Sequence, residues 1–184
     1  MTRQIRDILI YNGKNYSLRQ ELLENYFSEF PERKPKSSSI LTSCWRGYKA
    51  TFEIRNNELI IIGFWLVEQG ESMDLISELF PNHKYDWFSG FIRIDDFQKE
   101  YNEENNQEAI FELLEVVNGN LNKHWKLNYT DFQIFKQRLF EHFKHTEAYV
   151  RLVAYWHKNS PRMAHEEIDA IILKSIIRVA SGLY

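Results

Sequence analysis

The stretch ATFEIRNNELIIIGFWLVE, residues 50–68, reads as a strand, a two-residue turn and a return strand. With Tyr48 added, Tyr48, Ala50, Phe52 and Ile54 alternate with Lys49, Thr51, Glu53 and Arg55, the period-two pattern of a half-buried strand. Asn56-Asn57 then supplies residues that tolerate the positive φ angles of a tight hairpin turn. The same plan recurs twice. DILIYNGKNYSL, residues 7–18, surrounds Asn12-Gly13, and IFELLEVVNGNLNKHWKL, residues 110–127, surrounds Asn118-Gly119. Residues 108–117 fit a helical face as well as a strand, because Ile110, Phe111, Leu113, Leu114 and Val117 share one side of a helix. The turn signal directly after them favours the strand. DWFSGFIRI, residues 86–94, reads as a further strand with a glycine that marks a bulge.

Short helical segments lie between the hairpins. LRQELLENYFSEF, residues 18–30, places Leu22, Leu23, Tyr26, Phe27 and Phe30 on one face and stops at Pro31. ESMDLISELFP, residues 71–81, repeats this with Met73, Ile76, Leu79 and Phe80 before Pro81. PERKPKSSS, residues 31–39, is a polar loop. Beyond Tyr129 the periodicity becomes helical throughout. Thr130 and Gln133 form a capping box, and Phe132, Phe135, Leu139 and Phe143 follow at helical spacing. A second helix spans residues 146–160. A third takes Ser160 as its cap and Pro161 as its first residue, with Ile168, Ile171, Ile172, Ser175, Ile176 and Val179 as its buried stripe. The expected fold is therefore α+β, an antiparallel sheet built from hairpins and packed with about three C-terminal helices. The 184 residues are expected to form one domain, 1–128 mainly strands with two short helices and 129–184 a helical tail laid on the sheet.

The order of motifs resembles a widespread family of small uncharacterised bacterial proteins. Its members carry a YNGKxY hairpin, a short helix ending in proline, a WRGYxATFEI strand, a DWFSGxLRI strand, a second hairpin and a helical tail. The matching residues are Tyr11-Asn12-Gly13-Lys14 with Tyr16, Trp45-Arg46-Gly47-Tyr48 with residues 50–54, and Asp86-Trp87-Phe88-Ser89-Gly90 with Arg93 and Ile94. The resemblance covers most of the length and implies the fold, with no established activity to carry over. One place departs from it. After the third motif the family has a Pro-Gly turn and a glycine- and tyrosine-rich loop with a histidine, where this chain has DDFQKEYNEENNQE.

Composition narrows the function. At 43% hydrophobic and 27% charged the chain is that of a globular protein, and 15% aromatics imply a thick core or an adhesive surface. No run approaches the roughly 20 apolar residues that span a bilayer. The opening MTRQIRDILIYNGK has charges where a signal peptide needs its apolar region, and a lone cysteine suits a reducing compartment, so a cytoplasmic location is expected. A net charge of −3 argues against nucleic acid as partner. Between Asp95 and Glu115 stand eight acids and one base. That stretch is expected to face solvent over residues 95–108 and to steer a basic protein partner, with Phe97 and Tyr101 as anchors and Glu100, Glu103 and Glu104 as charges.

Catalytic constellations are thin. Cys44 has no histidine tied to it by sequence, so a buried structural thiol is expected. His142 and His145 have a ligand-like spacing but no evident third ligand, and HEEID, residues 165–169, lacks the second histidine of a zinc protease motif. There is no glycine-rich phosphate loop and no GxSxG elbow. The expectation is a chain without catalytic residues, metal or cofactor: a protein-binding module such as an immunity or inhibitor protein acting on a toxin or effector. The alternative is a small-ligand sensor or enzyme with a pocket on the sheet, walled by Trp45, Arg46 and Trp87. Trp45, Arg46, Tyr48 and Trp87 are the candidate binding residues of the first half. Trp45 and Phe52 are expected mainly in the core, and Arg46 in charge-assisted bonds to carbonyls or an acid.

Overall fold

The computed structural model describes residues 4–35, 41–67, 69–94 and 108–180. Strands β1 (Ile8–Tyr11), β2 (Lys14–Ser17), β3 (Tyr48–Arg55), β4 (Glu58–Leu66), β5 (Gly70–Glu71), β6 (Gly90–Arg93), β7 (Phe111–Val117) and β8 (Asn120–Leu127) form one sheet. Its order is β2-β1-β3-β4-β8-β7-β6, with β5 paired to β4. Helices α1 (Leu22–Glu29) and α2 (Met73–Leu79) are followed by α3 (Tyr129–Phe143), α4 (Glu147–Asn159), α5 (His165–Lys174) and α6 (Ile176–Val179). The class is α+β. Among the described residues no helix is long and apolar enough to cross a membrane.

All three predicted turns close hairpins. Asn12 and Gly13 have φ of 50° and 71°, Asn56 and Asn57 52° and 63°, Asn118 and Gly119 47° and 70°. Two positive φ angles give the turn a twist that matches the strands it joins. Residues 111–117 form a strand, as the turn after them implied.

The sheet is mixed rather than purely antiparallel. β1 pairs β3 in parallel, Leu9 opposite Phe52. The first hairpin returns the chain to the end where β1 begins, and the connection through α1 brings it to the other side of β1, so β3 enters in the same direction. In β3–β4 a register shift between Thr51 and Phe52 sets Gly63 opposite Thr51 and keeps Ile61 and Phe64 on the buried side. The strand read at 86–94 begins only at Gly90. Its front half is a turn held by Gly119, whose amide donates to the Phe88 carbonyl at 2.8 Å.

Two cores meet across the β6–β7 layer. The first joins Leu9, Tyr48, Phe52, Leu59 and Ile61 of the sheet to Leu22, Leu23, Tyr26 and Phe27 of α1, and takes Ile92, Leu114 and Val116 from β6 and β7. The second joins Phe91, Phe111 and Leu113, from the opposite face of the same strands, to Phe132, Phe140 and Phe143 of α3 and Ile168, Ile172 and Ile176 of the last helices. That is why residues 111–117 read ambiguously: strands buried on both faces lose the period-two pattern. The sheet curls far enough that Tyr11 at the end of β1 touches the His124 ring of β8, centroids 5.5 Å apart.

Three helix ends differ from the sequence reading. α3 is capped by Asn128, whose side chain accepts from the Asp131 amide at 2.8 Å, and not by Thr130. α5 starts at His165, with Glu167 reaching back to the Ala164 amide at 2.9 Å, so Ser160 and Pro161 belong to the preceding turn. The single third helix is two, because the Ser175 hydroxyl bonds the Ile171 and Ile172 carbonyls at 3.0 and 3.3 Å and ends α5. Ile171 is consequently exposed, while Ile177 joins the core.

Candidate functional site

Arg46 and Trp45 are neighbours with opposite fates. Arg46 grips Asp7 with both terminal nitrogens: Nη1 donates to Oδ2 at 2.9 Å and Nη2 to Oδ1 at 3.2 Å. Nη2 also donates to the Ile5 carbonyl at 3.2 Å, and Nε lies 3.7 Å from Glu21. The Ala50 amide donates to Asp7 Oδ1 at 2.8 Å. Asp7 is fully buried at the side chain and Arg46 is 10% exposed there. Burial drives the Asp7 carboxyl above its ordinary range, against the pull of Arg46 and the Ala50 amide. Burial acts to lower the Arg46 pKa, but the bonds and charge of Asp7 outweigh it and hold the guanidinium charged. Tyr48 continues inward. It stacks on Phe64 at 5.0 Å, and its hydroxyl donates to Glu24 at 2.7 Å. Burial and the Glu24 carboxylate keep that phenol protonated. Arg46 and Tyr48 thus tie β3 to β1 and α1. Phe52 is fully buried, as expected.

Trp45 is not in the core: it is 73% exposed. Cys44 before it is buried with Sγ 3.3 Å from the Tyr48 carbonyl, and Arg46 after it turns inward, so the residue between them points out. Its backbone is fixed on several sides. The Trp45 amide donates to Gln4 Oε1 at 3.2 Å, and Gln4 Nε2 donates to the Thr42 carbonyl at 2.8 Å. The Ile5 amide reaches Ser43, Cys44 reaches Leu41, and Val67 reaches Gly47. Leu41, also exposed, stands on the same turn. Gln4, Asp7 and Leu41 carried no signal in the sequence, since nothing in a lone acid before a strand tells that it is buried.

Trp87 lies elsewhere. It is half-buried and lines a cleft of about 530 Å³ with Tyr26, Phe30 and Phe80, rimmed by Arg33, Glu58, Lys84 and Asp86. Neither Trp45 nor Arg46 lines this cleft. Trp87 meets the Tyr26 ring edge-on at 5.6 Å and stacks on Tyr85 at 6.4 Å. Arg33 lies over the Phe30 ring at 5.0 Å and donates from Nη1 to the Tyr26 hydroxyl at 2.6 Å. Lys84 donates to Glu58 at 2.8 Å and to Asn120 at 3.1 Å.

Phe97, Glu100, Tyr101, Glu103 and Glu104 lie outside the described residues. At the end of the acidic stretch, Glu112 and Glu115 are engaged within the sheet. Glu112 meets His124 at 2.8 Å, and Glu115 accepts from the Trp125 indole at 2.9 Å. On the helical side, HEEID contributes to a cluster the sequence did not show. The Tyr149 hydroxyl donates to Asp169 at 2.7 Å and lies 3.0 Å from His165 Nε2. Burial and the Asp169 carboxylate push this phenol up to about 12. Among the described residues no group of three or more His, Cys, Asp or Glu is placed to hold a metal ion. No protein-family model matches the chain, and neither a curated protein nor a solved structure matches it.

Proposed function

We propose that this chain is a non-enzymatic protein-binding module of the immunity or inhibitor kind, which presents Trp45 to a basic protein partner in the cytoplasm. The observation that carries the reading is an indole 73% exposed on a turn whose backbone is bonded on several sides. Tryptophan and arginine dominate binding hot spots, and here the arginine is spent on holding the turn while the indole is left outward. Covering the exposed indole returns about 3 kcal/mol by its apolar area. A pinned turn loses little conformational entropy on docking. The net charge of −3 and the acids between Asp95 and Glu115 favour a cationic partner over nucleic acid. The test is affinity capture from the native host with wild-type and Trp45→Ala baits of equal thermal stability. One protein retained by the wild type and lost by the variant, with retention weakening as salt rises, is the expected result. The same proteins on both baits would overturn the assignment.

The second reading, a small-ligand sensor, draws its support from the aromatic cleft at Trp87, whose volume falls within the range of ligand pockets.

A further inference from the structure

We infer that the cleft between α1 and the segment from Pro81 to Trp87 binds a small planar aromatic acid. The inference deepens the second reading of function and is independent of Trp45. Its floor is Tyr26, 3% exposed, with Phe30 and Phe80 at ring distances of 5.0 Å and Trp87 at 5.6 Å. Such faces and edges suit an inserted aromatic ring.

The polar equipment selects the acid. The Tyr26 hydroxyl accepts from Arg33 at 2.6 Å, which leaves its own proton to donate. Among the described residues no acceptor takes that proton, so the phenol keeps a donor to offer at the cleft. A guanidinium has five N–H donors; one of those of Arg33 is used on Tyr26, and its Nε lies 3.9 Å from the exposed Glu32 carboxylate, which leaves both terminal nitrogens with donors to spare. Lys84 spends two of its three protons on Glu58 and Asn120, which also takes the Glu58 charge out of play. What remains to meet a ligand is a phenol proton beside a guanidinium, a pairing that fits an anionic oxygen. Asp86 sits on the exposed rim, and its repulsion orients the acid group toward Arg33.

Asn82 of the cleft wall and His83 behind it both lie in the left-handed region, with φ of 59° and 60°, a conformation that asparagine tolerates. The His83 amide bonds the Phe80 carbonyl at 2.8 Å, and its ring meets Ser77 Oγ at 3.1 Å, which holds the pair there.

The experiment titrates the full chain with indole-3-acetate, phenyl phosphate and neutral indole, following the indole N–H signals by NMR and the heat by calorimetry. Saturable binding of an acid, with indole about tenfold weaker or more, is expected, and the tighter acid tells carboxylate from phosphate. Tyr26→Phe keeps the ring and removes the donor. Arg33→Gln changes a half-exposed side chain. Each is expected to weaken the acid about tenfold while leaving indole unchanged, and Trp45→Ala is expected to change neither. Amide spectra matching the wild type certify the fold of each variant. Indole binding as tightly as the acids would overturn the ligand class and leave the cleft as a binding site. No binding by any of the three would overturn both.

Discussion

A methyl group added at Gly119 would meet the Tyr85 carbonyl oxygen at 2.6 Å and the Asp86 Cα at 2.7 Å, on a residue whose φ is +70°. The segment that carries Trp87 therefore rests directly on a glycine. Gly13, with φ of +71°, has open space where its Cβ would stand. Gly13→Ala is expected to cost about 1 kcal/mol, the conformational penalty alone, and Gly119→Ala about 3 kcal/mol or more. Urea unfolding of the two variants checks the difference, and equal losses would deny the close approach. Asp7 sets a second expectation at this scale. An acid whose folded pKa lies above its ordinary 3.8 favours the folded state at low pH, and that stability is lost as pH rises through the folded value. Arg46→Gln removes the pull that opposes burial and lifts the folded pKa further. Its stability deficit against the wild type is thus largest at pH 7 and shrinks toward pH 4. Urea midpoints across that range test it, and a deficit independent of pH would contradict it. The role of Arg46 was legible in the sequence, because a guanidinium flanked by aromatics must be paired. The outward turn of Trp45 was not, since it follows from Cys44 and Arg46 both pointing inward.

Elements were legible where local chemistry decides them. Each of the three turn dipeptides formed its hairpin, because positive φ is a property of the residues themselves. The parallel pairing of β1 with β3 was hidden, because it depends on the path of α1 and on no local pattern. Helix starts were less legible: Asn128 and Thr130 compete as caps of α3, and α5 starts behind Ala164, a residue with no capping oxygen. The structure selects Asn128 for α3 through its bond to the Asp131 amide. Asn128→Ala is expected to lower stability by about 1 kcal/mol, and Thr130→Ala to change it by less than about 0.5 kcal/mol. Thermal unfolding of the pair decides, and the reverse order would return the cap to Thr130.

At the scale of the molecule, strands β6 and β7 separate two cores, one under α1 and the curled sheet and one under the last helices. The outer residues that this leaves on the strand side include Trp45 and Leu41 on one turn and the aromatic cleft at Trp87. The α+β class was legible from the shift of periodicity at Tyr129. The separation of Trp45 from Trp87 was not, because two motif tryptophans far apart in sequence say nothing of the face each reaches. Adjacent residues divide the labour: Arg46 holds the turn and Trp45 is held out by it. Breaking a buried ion pair from one side costs about 3–5 kcal/mol, which for a chain of this size lowers the unfolding temperature by roughly 10 °C. An exposed side chain changes stability by about 0.5 kcal/mol at most. The most direct test is the thermal unfolding midpoint of Arg46→Ala and Trp45→Ala, measured side by side at pH 7. A fall of about 10 °C is expected for Arg46→Ala and a change within about 2 °C for Trp45→Ala. A fall for Trp45→Ala as large as that for Arg46→Ala would place the indole in the core and contradict the account.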